Sequence, residues 1–489
     1  MPLQTVQIAV FVFVTALIGL ITYIKCKQAV RKENQSTSGE NKEVFLAGGG
    51  LSWIFVAGSI TLTNLSTDQL VSMNGNQKAI LALWEFAAVF GLIILAKVFL
   101  PIYYRYDCTT TTELLEKRYN NHHIRALIAV LFMLGNIFIF LPAVLYGGSK
   151  FMITMFNLDV SIMPLALGFA VVGAGYAVLG GLRAVAISDT YSGVLLLGLG
   201  LVVVYLALNA IDFDFSGIPA ERLTLIGDND SPIPWHTLIT GMIFIQIFYW
   251  GTNQTITQRA MAAKTLKEGQ KGVLTAAVIR LIIIPPIIVI PGIISYKLYG
   301  EIPQDGAYGR IVGDILPVWL SGAFAAALAA AVLTTFNSIL NSSSALYVCD
   351  IHEKYFGAKP NVSRLNGYVT ASFVIIALAL VPIYAQTENL INTVQQLYGL
   401  LSMPILSCFI VGLLFRNVDY RAAIFGVILG VLFYAATQFI WSPFHYIHMM
   451  FITLWLSVGS ALLLSKFAFS TDIKFGWAGN DVIAGTGKA

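Results

Sequence analysis

Long apolar runs, separated by short polar breaks, recur along almost the whole chain. They lie near residues 4–24, 52–74, 79–103, 124–156, 160–182, 186–211, 234–258, 272–299, 315–347, 366–385, 390–415, 421–442 and 446–466. At a rise of about 1.5 Å per residue, runs of this length cross a hydrocarbon layer about 30 Å thick as helices. The pattern predicts an all-α polytopic membrane protein with about 13 transmembrane helices. Lysine and arginine sort by loop. Lys25, Lys27, Arg31, Lys32, Arg105, Lys117, Arg118, Arg183, Arg259, Lys264, Lys354, Arg364 and Arg416 fall on one side, whereas the other side holds little besides Lys78, Lys150, Arg222, Lys297 and Arg310. By the positive-inside rule, the N-terminus faces outside and the C-terminus the cytoplasm. The first run lacks a basic start and a small-residue cleavage site, so it reads as a retained helix. The acidic external loop from Asp212 to Pro234 either folds over the outer face or is simply solvated.

One run is interrupted from within. Leu62-Thr-Asn-Leu-Ser-Thr-Asp-Gln69 places six polar residues among eight inside the 52–74 segment. An unpaired polar group in hydrocarbon costs several kcal/mol. Such a helix either unwinds locally and offers its oxygens to a bound cation, or uses Thr and Asn to hold neighbouring helices. A second cluster begins at Ala331 and continues through Thr334, Thr335, Asn337, Ser338 and Asn341, with three–four spacing that makes one wet helical stripe. The two adjacent hydroxyls, with the Ala331 carbonyl, are hard oxygen ligands of the kind a small cation prefers; a Ser/Thr packing seam is the alternative. A third concentration, Gln246-Ile-Phe-Tyr-Trp-Gly-Thr-Asn-Gln254, sets Tyr249 and Trp250 beside amides, and Gln395, Gln396, Trp84 and Glu85 add the same chemistry. Aromatic faces with amide rims suit a polyhydroxyl ligand.

Five ionisable residues fall inside the runs: Asp68, Glu85, Lys97, Asp189 and Arg280. Intramembrane charges mark functional sites by default. Lys97 is near a helix end and can snorkel, and Asp189 is near a predicted helix start, where capping competes with function.

Composition narrows the class. The 489 residues are 57% hydrophobic and 11% charged, where a soluble chain carries roughly a quarter charged residues. The net charge of +4 is sorted by membrane side and does not point to nucleic acid. Cys26, Cys108, Cys349 and Cys408 form no metal or disulfide pattern. The six histidines lie at loops or helix ends, and no catalytic dyad, carboxylate pair or metal cluster appears in the runs, which argues against an enzyme.

Several motifs in order carry a family likeness. They are Asn64-Leu-Ser-Thr-Asp-Gln69, Gly180-Gly-Leu-Arg-Ala-Val-Ala-Ile-Ser-Asp189, Tyr249-Trp-Gly-Thr-Asn-Gln254 with Gln258, Arg259 and Lys264, Glu268-Gly-Gln-Lys-Gly272, and Asn341-Ser-Ser-Ser344. Over about residues 45–420 the chain resembles the sodium–solute symporter family, in particular its sodium–glucose cotransporter branch, which includes bacterial sodium–galactose symporters. The resemblance implies a LeuT-type fold of two inverted five-helix repeats: an N-terminal helix and linker over 1–50, a first repeat over 51–211, an external loop and second repeat over 212–416, and two peripheral helices with a short tail over 417–489. It implies alternating access around a midplane site in a plasma membrane, the bacterial inner membrane being the expected one. It also implies a sodium site at the carbonyls of Leu62, Leu65 and Ala331 and the hydroxyls of Thr334 and Thr335, with Asp189 close by. Family members more often carry Ser at one or both hydroxyl positions; Thr keeps the oxygen.

The sugar site it implies comprises Asn64, Gln69, Glu85, Gln246, Arg280 and Gln395, with Tyr249 as the inner gate. Arg280 stands where sugar transporters have Lys, and Gln246 where the galactose member has Asn. The planar fork of Arg suits a carboxylate, which brings in an anionic sugar such as sialic acid beside a neutral hexose; Glu85 favours the neutral one unless Arg280 neutralises it. A second sodium site would need hydroxyls around Asn337 and Ser338. Proton coupling through Asp189 or Glu85, and a transporter-derived sensor, stay open at this stage.

Overall fold

The computed structural model describes residues 3–33, 40–65, 67–356, 361–387 and 390–477. The chain begins with α1 (Leu3–Glu33), a short α2 (Glu40–Phe45), and the interrupted first core span, α3 (Trp53–Asn64) and α4 (Thr67–Gly75). The next span is α5 (Leu83–Ile94), a π-helical turn over Leu95–Phe99, and α6 (Leu100–Arg105). A connecting α7 (Thr111–Tyr119) leads into α8 (His122–Gly135) and α9 (Leu141–Phe156), joined through a π turn at Asn136–Phe140. The long α10 (Ile162–Ala210) completes the first half.

After α11 (Ala220–Leu223), the second half opens on another interrupted span: α12 (Gly241–Gln246), a π turn at Ile247–Thr252 and α13 (Gln254–Met261). Then come α14 (Leu266–Ile282) and α15 (Ile284–Tyr299), kinked where Pro285-Pro286 removes backbone donors. α16 (Gln304–Ile315) lies before α17 (Val318–Ala345), which continues through a π turn to α18 (Glu353–Tyr355). The rest is α19 (Val362–Tyr384), α20 (Leu390–Leu414), α21 (Tyr420–Phe439) and α22 (Tyr446–Phe467). A two-residue strand at Phe415–Arg416 pairs antiparallel with Lys474–Phe475.

Ten helices among the described residues are long and apolar enough to cross a membrane, and Trp53–Asn64 and Ile162–Gly175 are shorter apolar helices. The difference from thirteen has a physical origin, since two predicted spans are broken pieces and two share one helical run. The breaks fall at the first span of each half, α3/α4 and α12/α13, as expected where discontinuous helices build a midplane site.

The 49-residue run of α10 does not stay straight. A Cβ on Gly173 would stand 2.6 Å from Phe336 Cδ1, while Asp189 faces Thr334, two residues earlier on α17. In a straight helix, positions 173 and 189 would be about 24 Å apart. The two halves therefore lie side by side against α17, with Gly180-Gly181 in the interval between them. Asp189 is consequently no helix-start cap; it is fully buried in mid-bundle.

At one end of the bundle the backbone of residues 45–51 closes over the core. Phe45 is fully buried against Ala345, Val348, Cys349 and Val362. Gln258 Nε2 donates to its carbonyl at 2.5 Å, and Leu51 bridges to Ala263. The acidic loop is anchored to the bundle at a few points, while Asp212, Asp214, Glu221, Asp228 and Asp230 stay exposed. Ile218, Arg222 and Ile233 are buried, and Lys297 pairs with Asp214 at 3.0 Å. Cys108, Cys349 and Cys408 are free and buried, in line with the absence of a disulfide pattern, and Lys97 is exposed, as a snorkelling residue should be.

Candidate functional site

α3 runs to Asn64 and ends because Leu65 leaves helical geometry (φ −79°, ψ 65°). The last carbonyls of a helix have no partner within it, and here they face other helices. Thr61 O accepts from Leu65 N at 3.0 Å and from Arg280 Nη2 at 3.2 Å, and Thr63 O faces the Thr335 hydroxyl at 3.4 Å. The interrupted span and α17 thus meet at Thr63 and Thr335, one residue away from the Leu62 carbonyl that the resemblance implies. Thr334 donates to Ala331 O at 3.2 Å, and Ser338 lies 3.5 Å from the Thr63 hydroxyl. Asp189 joins them: Ser59 donates to its Oδ2 at 2.6 Å, whereas its buried Oδ1 has no hydrogen-bond partner. A buried carboxylate oxygen without a donor, beside hydroxyls and helix-end carbonyls, fits a small hard cation. Leu62 and Leu65 are fully buried in the same turn, and Thr63 is the residue of that turn that sequence reasoning missed. The Asn337 amide is buried with neither Oδ1 nor Nδ2 partnered, so this stripe position offers an amide and no hydroxyl. Asp68's side chain lies outside the described residues.

A cavity of about 80 Å³ opens beside this cluster. Asn64, Gln69, Glu85, Gln246, Tyr249 and Gln395 line it; Arg280 does not. Arg280 instead stands behind the wall, fully buried, with Nη1 2.5 Å from Glu85 Oε2 and its guanidinium 4.7 Å above the Trp250 ring. One arm of its fork is taken by an internal carboxylate. Gln69 Nε2 donates to the other Glu85 oxygen. With its oxygen toward Arg280, the Asn64 amide accepts at 2.9 Å from both Nη atoms and donates its nitrogen to the Tyr249 hydroxyl at 2.5 Å. Gln246 is satisfied within the protein, donating to Trp84 O and accepting from Trp250 Nε1 at 2.9 Å. A smaller cavity of about 30 Å³ shares Asn64 and Tyr249 with the first and reaches Thr335. It is large enough for a water or an ion, and Tyr249 stands in the wall of both cavities.

Sequence reasoning missed Tyr398 and Ser402, which also line the main cavity; the Ser402 hydroxyl is buried and unpartnered. With Gln395 they recur at i, i+3 and i+7, one face of α20, and that spacing was the available signal. Met450 of α22 completes the wall, although hydropathy alone gave that helix no role.

Gly91 holds this wall in register. A Cβ there would stand 2.5 Å from Trp250 Cδ1 and 2.6 Å from the Gln246 carbonyl. Gly91→Ala is expected to push α12 off α5, lower stability by about 1–3 kcal/mol and weaken solute binding. Thermal melting and uptake measured on the same preparation check this.

The family model for the sodium:solute symporter family matches residues 44–430. The chain belongs to the sodium:solute symporter family. It is 33% identical over 96% of its length to an uncharacterized symporter, YidK, of Escherichia coli K12, and spans 87% of that relative. It is 30% identical over 92% of its length to a sodium/glucose cotransporter of Vibrio parahaemolyticus, of which it spans 88%. Its backbone matches a solved sodium-coupled sialic acid symporter with a TM-score of 0.80 at 18% identity, over 94% of this chain and 97% of that one, which establishes the LeuT-type fold. This family member is therefore a multi-pass, sodium-coupled symporter of solutes, with the relatives and fold of transporters and not of enzymes.

Proposed function

We propose that this symporter couples inward sodium flow to the uptake of a neutral monosaccharide, of the glucose or galactose kind, by alternating access. The observation that carries the reading is the Glu85–Arg280 pair. Arg280, behind the wall, neutralises the Glu85 carboxylate on the lining at 2.5 Å, so among the described residues lining the cavity no cation is left to meet a carboxylate. Besides the paired Glu85 carboxylate, the polar and aromatic residues facing the cavity are Asn64, Gln69, Gln246, Gln395, Tyr398 and Trp84. Such surfaces hydrogen-bond a sugar rim and cover its apolar face. The Vibrio relative's name points the same way.

In this reading Tyr249 closes beneath the sugar, between the two cavities. Sodium binds among the carbonyls of Leu62, Leu65 and Ala331, the hydroxyls of Thr334 and Thr335, and Asp189. Holding the broken end of α3 in this shape completes the sugar site, so each ligand raises the other's affinity. The energetics suffice. A potential of about 100 mV gives roughly 2.3 kcal/mol per sodium ion, and a tenfold gradient adds about 1.4 kcal/mol, enough to concentrate a neutral solute several hundred-fold. Thirteen crossings with the N-terminus outside, residues 51–211 and 212–416 as the repeats, and a bacterial inner membrane complete the proposal. The test is sodium-gradient-driven uptake of labelled galactose and glucose into proteoliposomes. Competition by neutral hexoses and none by sugar acids is expected; the reverse order, or binding without net uptake, overturns the reading.

A further inference from the structure

Away from the transport path, a groove of about 1280 Å³ opens between α1, the first half of α10 and α17. Its walls are apolar, with Phe11, Leu165, Phe169, Val172 and Leu333. No residue of α3, α4, α12 or α13 lines it. The lining stretch of α10 from Pro164 to Val172 covers about 12 Å along a helix axis, most of the depth of one leaflet, about 15 Å or half the hydrocarbon layer. A Cβ on Gly168 would meet nothing within 4 Å, so the groove is open there.

At its mouth, where α9 ends and α16 crosses, stand Lys150 and Arg310. Cations are scarce on this side of the chain, which holds little besides Lys78, Lys150, Arg222, Lys297 and Arg310. Arg222 pairs with Glu301 at 3.6 Å and Lys297 with Asp214 at 3.0 Å. Lys150 and Arg310 have no ion-pair partner among the described residues, yet both line this groove, together with Asp314. Arg310 lies 4.3 Å over the Tyr299 ring, and the nearby Asp314 is engaged by the Tyr299 hydroxyl at 2.7 Å. Asp305, the carboxylate facing Lys150, accepts from the Tyr146 hydroxyl at 3.2 Å.

We propose that this groove is a binding site for one phospholipid with an anionic headgroup, its acyl chains lying between α1, α10 and α17 and its phosphate held by Lys150 and Arg310. Lysine and arginine form charge-assisted hydrogen bonds to phosphate oxygens, and a net negative headgroup gains more from two cations than a zwitterionic one, whose own positive group is repelled by them. Seated there, the lipid lies alongside α1 where it packs on α17, with Gln7 bonded to Ser321 at 3.0 Å.

The purified protein in detergent, supplied with dioleoylphosphatidylglycerol or dioleoylphosphatidylcholine, tests this by native mass spectrometry and thermal melting. The phosphatidylglycerol adduct is expected to be retained preferentially and to raise the melting temperature. K150Q and R310Q should each reduce that preference about fivefold, whereas K78Q, a cation away from the groove, leaves it intact. Gly168→Trp, which fills the open space, should expel both lipids while sodium-driven transport continues, so misfolding is distinguishable from lost binding. Equal retention of the two lipids, a preference unchanged in the K150Q/R310Q double variant, or equal protection by inorganic phosphate overturns the proposal. So does a groove filled by a second copy, seen as a lipid-free dimer.

Discussion

Glu85→Gln is expected to lower stability by about 3–5 kcal/mol and to abolish uptake. Glu85 and Arg280 are both buried, 195 positions apart in the chain and 2.5 Å apart in space. Removing one partner of a buried pair leaves the other charge without compensation where water cannot reach it, and that penalty exceeds what the pair itself contributes. Gln keeps the shape of Glu and a polar group for Gln69, so the loss reports charge and not volume. Arg280→Met should do comparable damage from the other side. The double variant should regain much of the stability, because neither charge remains, while uptake stays absent because Asn64 and Trp250 have lost the guanidinium that positions them. Thermal melts of the three variants, with binding of labelled sugar, check this. A Glu85→Gln protein that melts and transports like the parent would refute the pair as the organising feature of the site.

Thr334→Ala combined with Thr335→Ala is expected to remove sodium dependence while leaving the fold intact. Both hydroxyls are buried, and their hydrogen bonds, to Ala331 O at 3.2 Å and Thr63 O at 3.4 Å, are long. Neither supports the fold strongly, so little stability is lost. Toward an ion the balance differs: an interaction with a charged partner is worth about 1.5–3 kcal/mol, so each missing oxygen should weaken sodium binding about tenfold or more. Because coupling is reciprocal, sodium should then cease to strengthen sugar binding, while weak sodium-independent binding persists. Sodium titrations of sugar affinity, together with counterflow at several sodium concentrations, measure both. Sodium stimulation that survives in the double variant moves the cation elsewhere.

Much of this was legible in the chain itself. The polar octet from Leu62 to Gln69 and the wet stripe from Thr334 to Asn341 lie in apolar runs, where unsatisfied groups are expensive, so their presence demanded partners. The aromatic and amide run around Tyr249 and the pair Gln395–Gln396 announced a polar ligand in the same way. The Ser402 hydroxyl carried no comparable signal, since one serine in an apolar helix is common and only its register with Gln395 and Tyr398 marks it. Asp189 was ambiguous for a similar reason: sequence placed it near a boundary, and only the folding back of α10 against α17 brought it to Ser59 and the hydroxyl pair.

Residue order alone determined that the protein is a bundle of apolar helices, that the 52–74 run is interrupted, and which positions carry oxygens inside the membrane; those are consequences of solvation, a property each segment has by itself, whereas the break between α12 and α13 showed only in the structure. Tertiary structure alone decided who meets whom. That Arg280 turns to Glu85 and away from the cavity, that Thr63 and not another carbonyl faces Thr335, and that α22 lends Met450 to the wall are matters of distance between segments hundreds of residues apart. A charge or hydroxyl encodes its need for a partner locally, but the partner is supplied by whichever helix packing brings within about 3 Å.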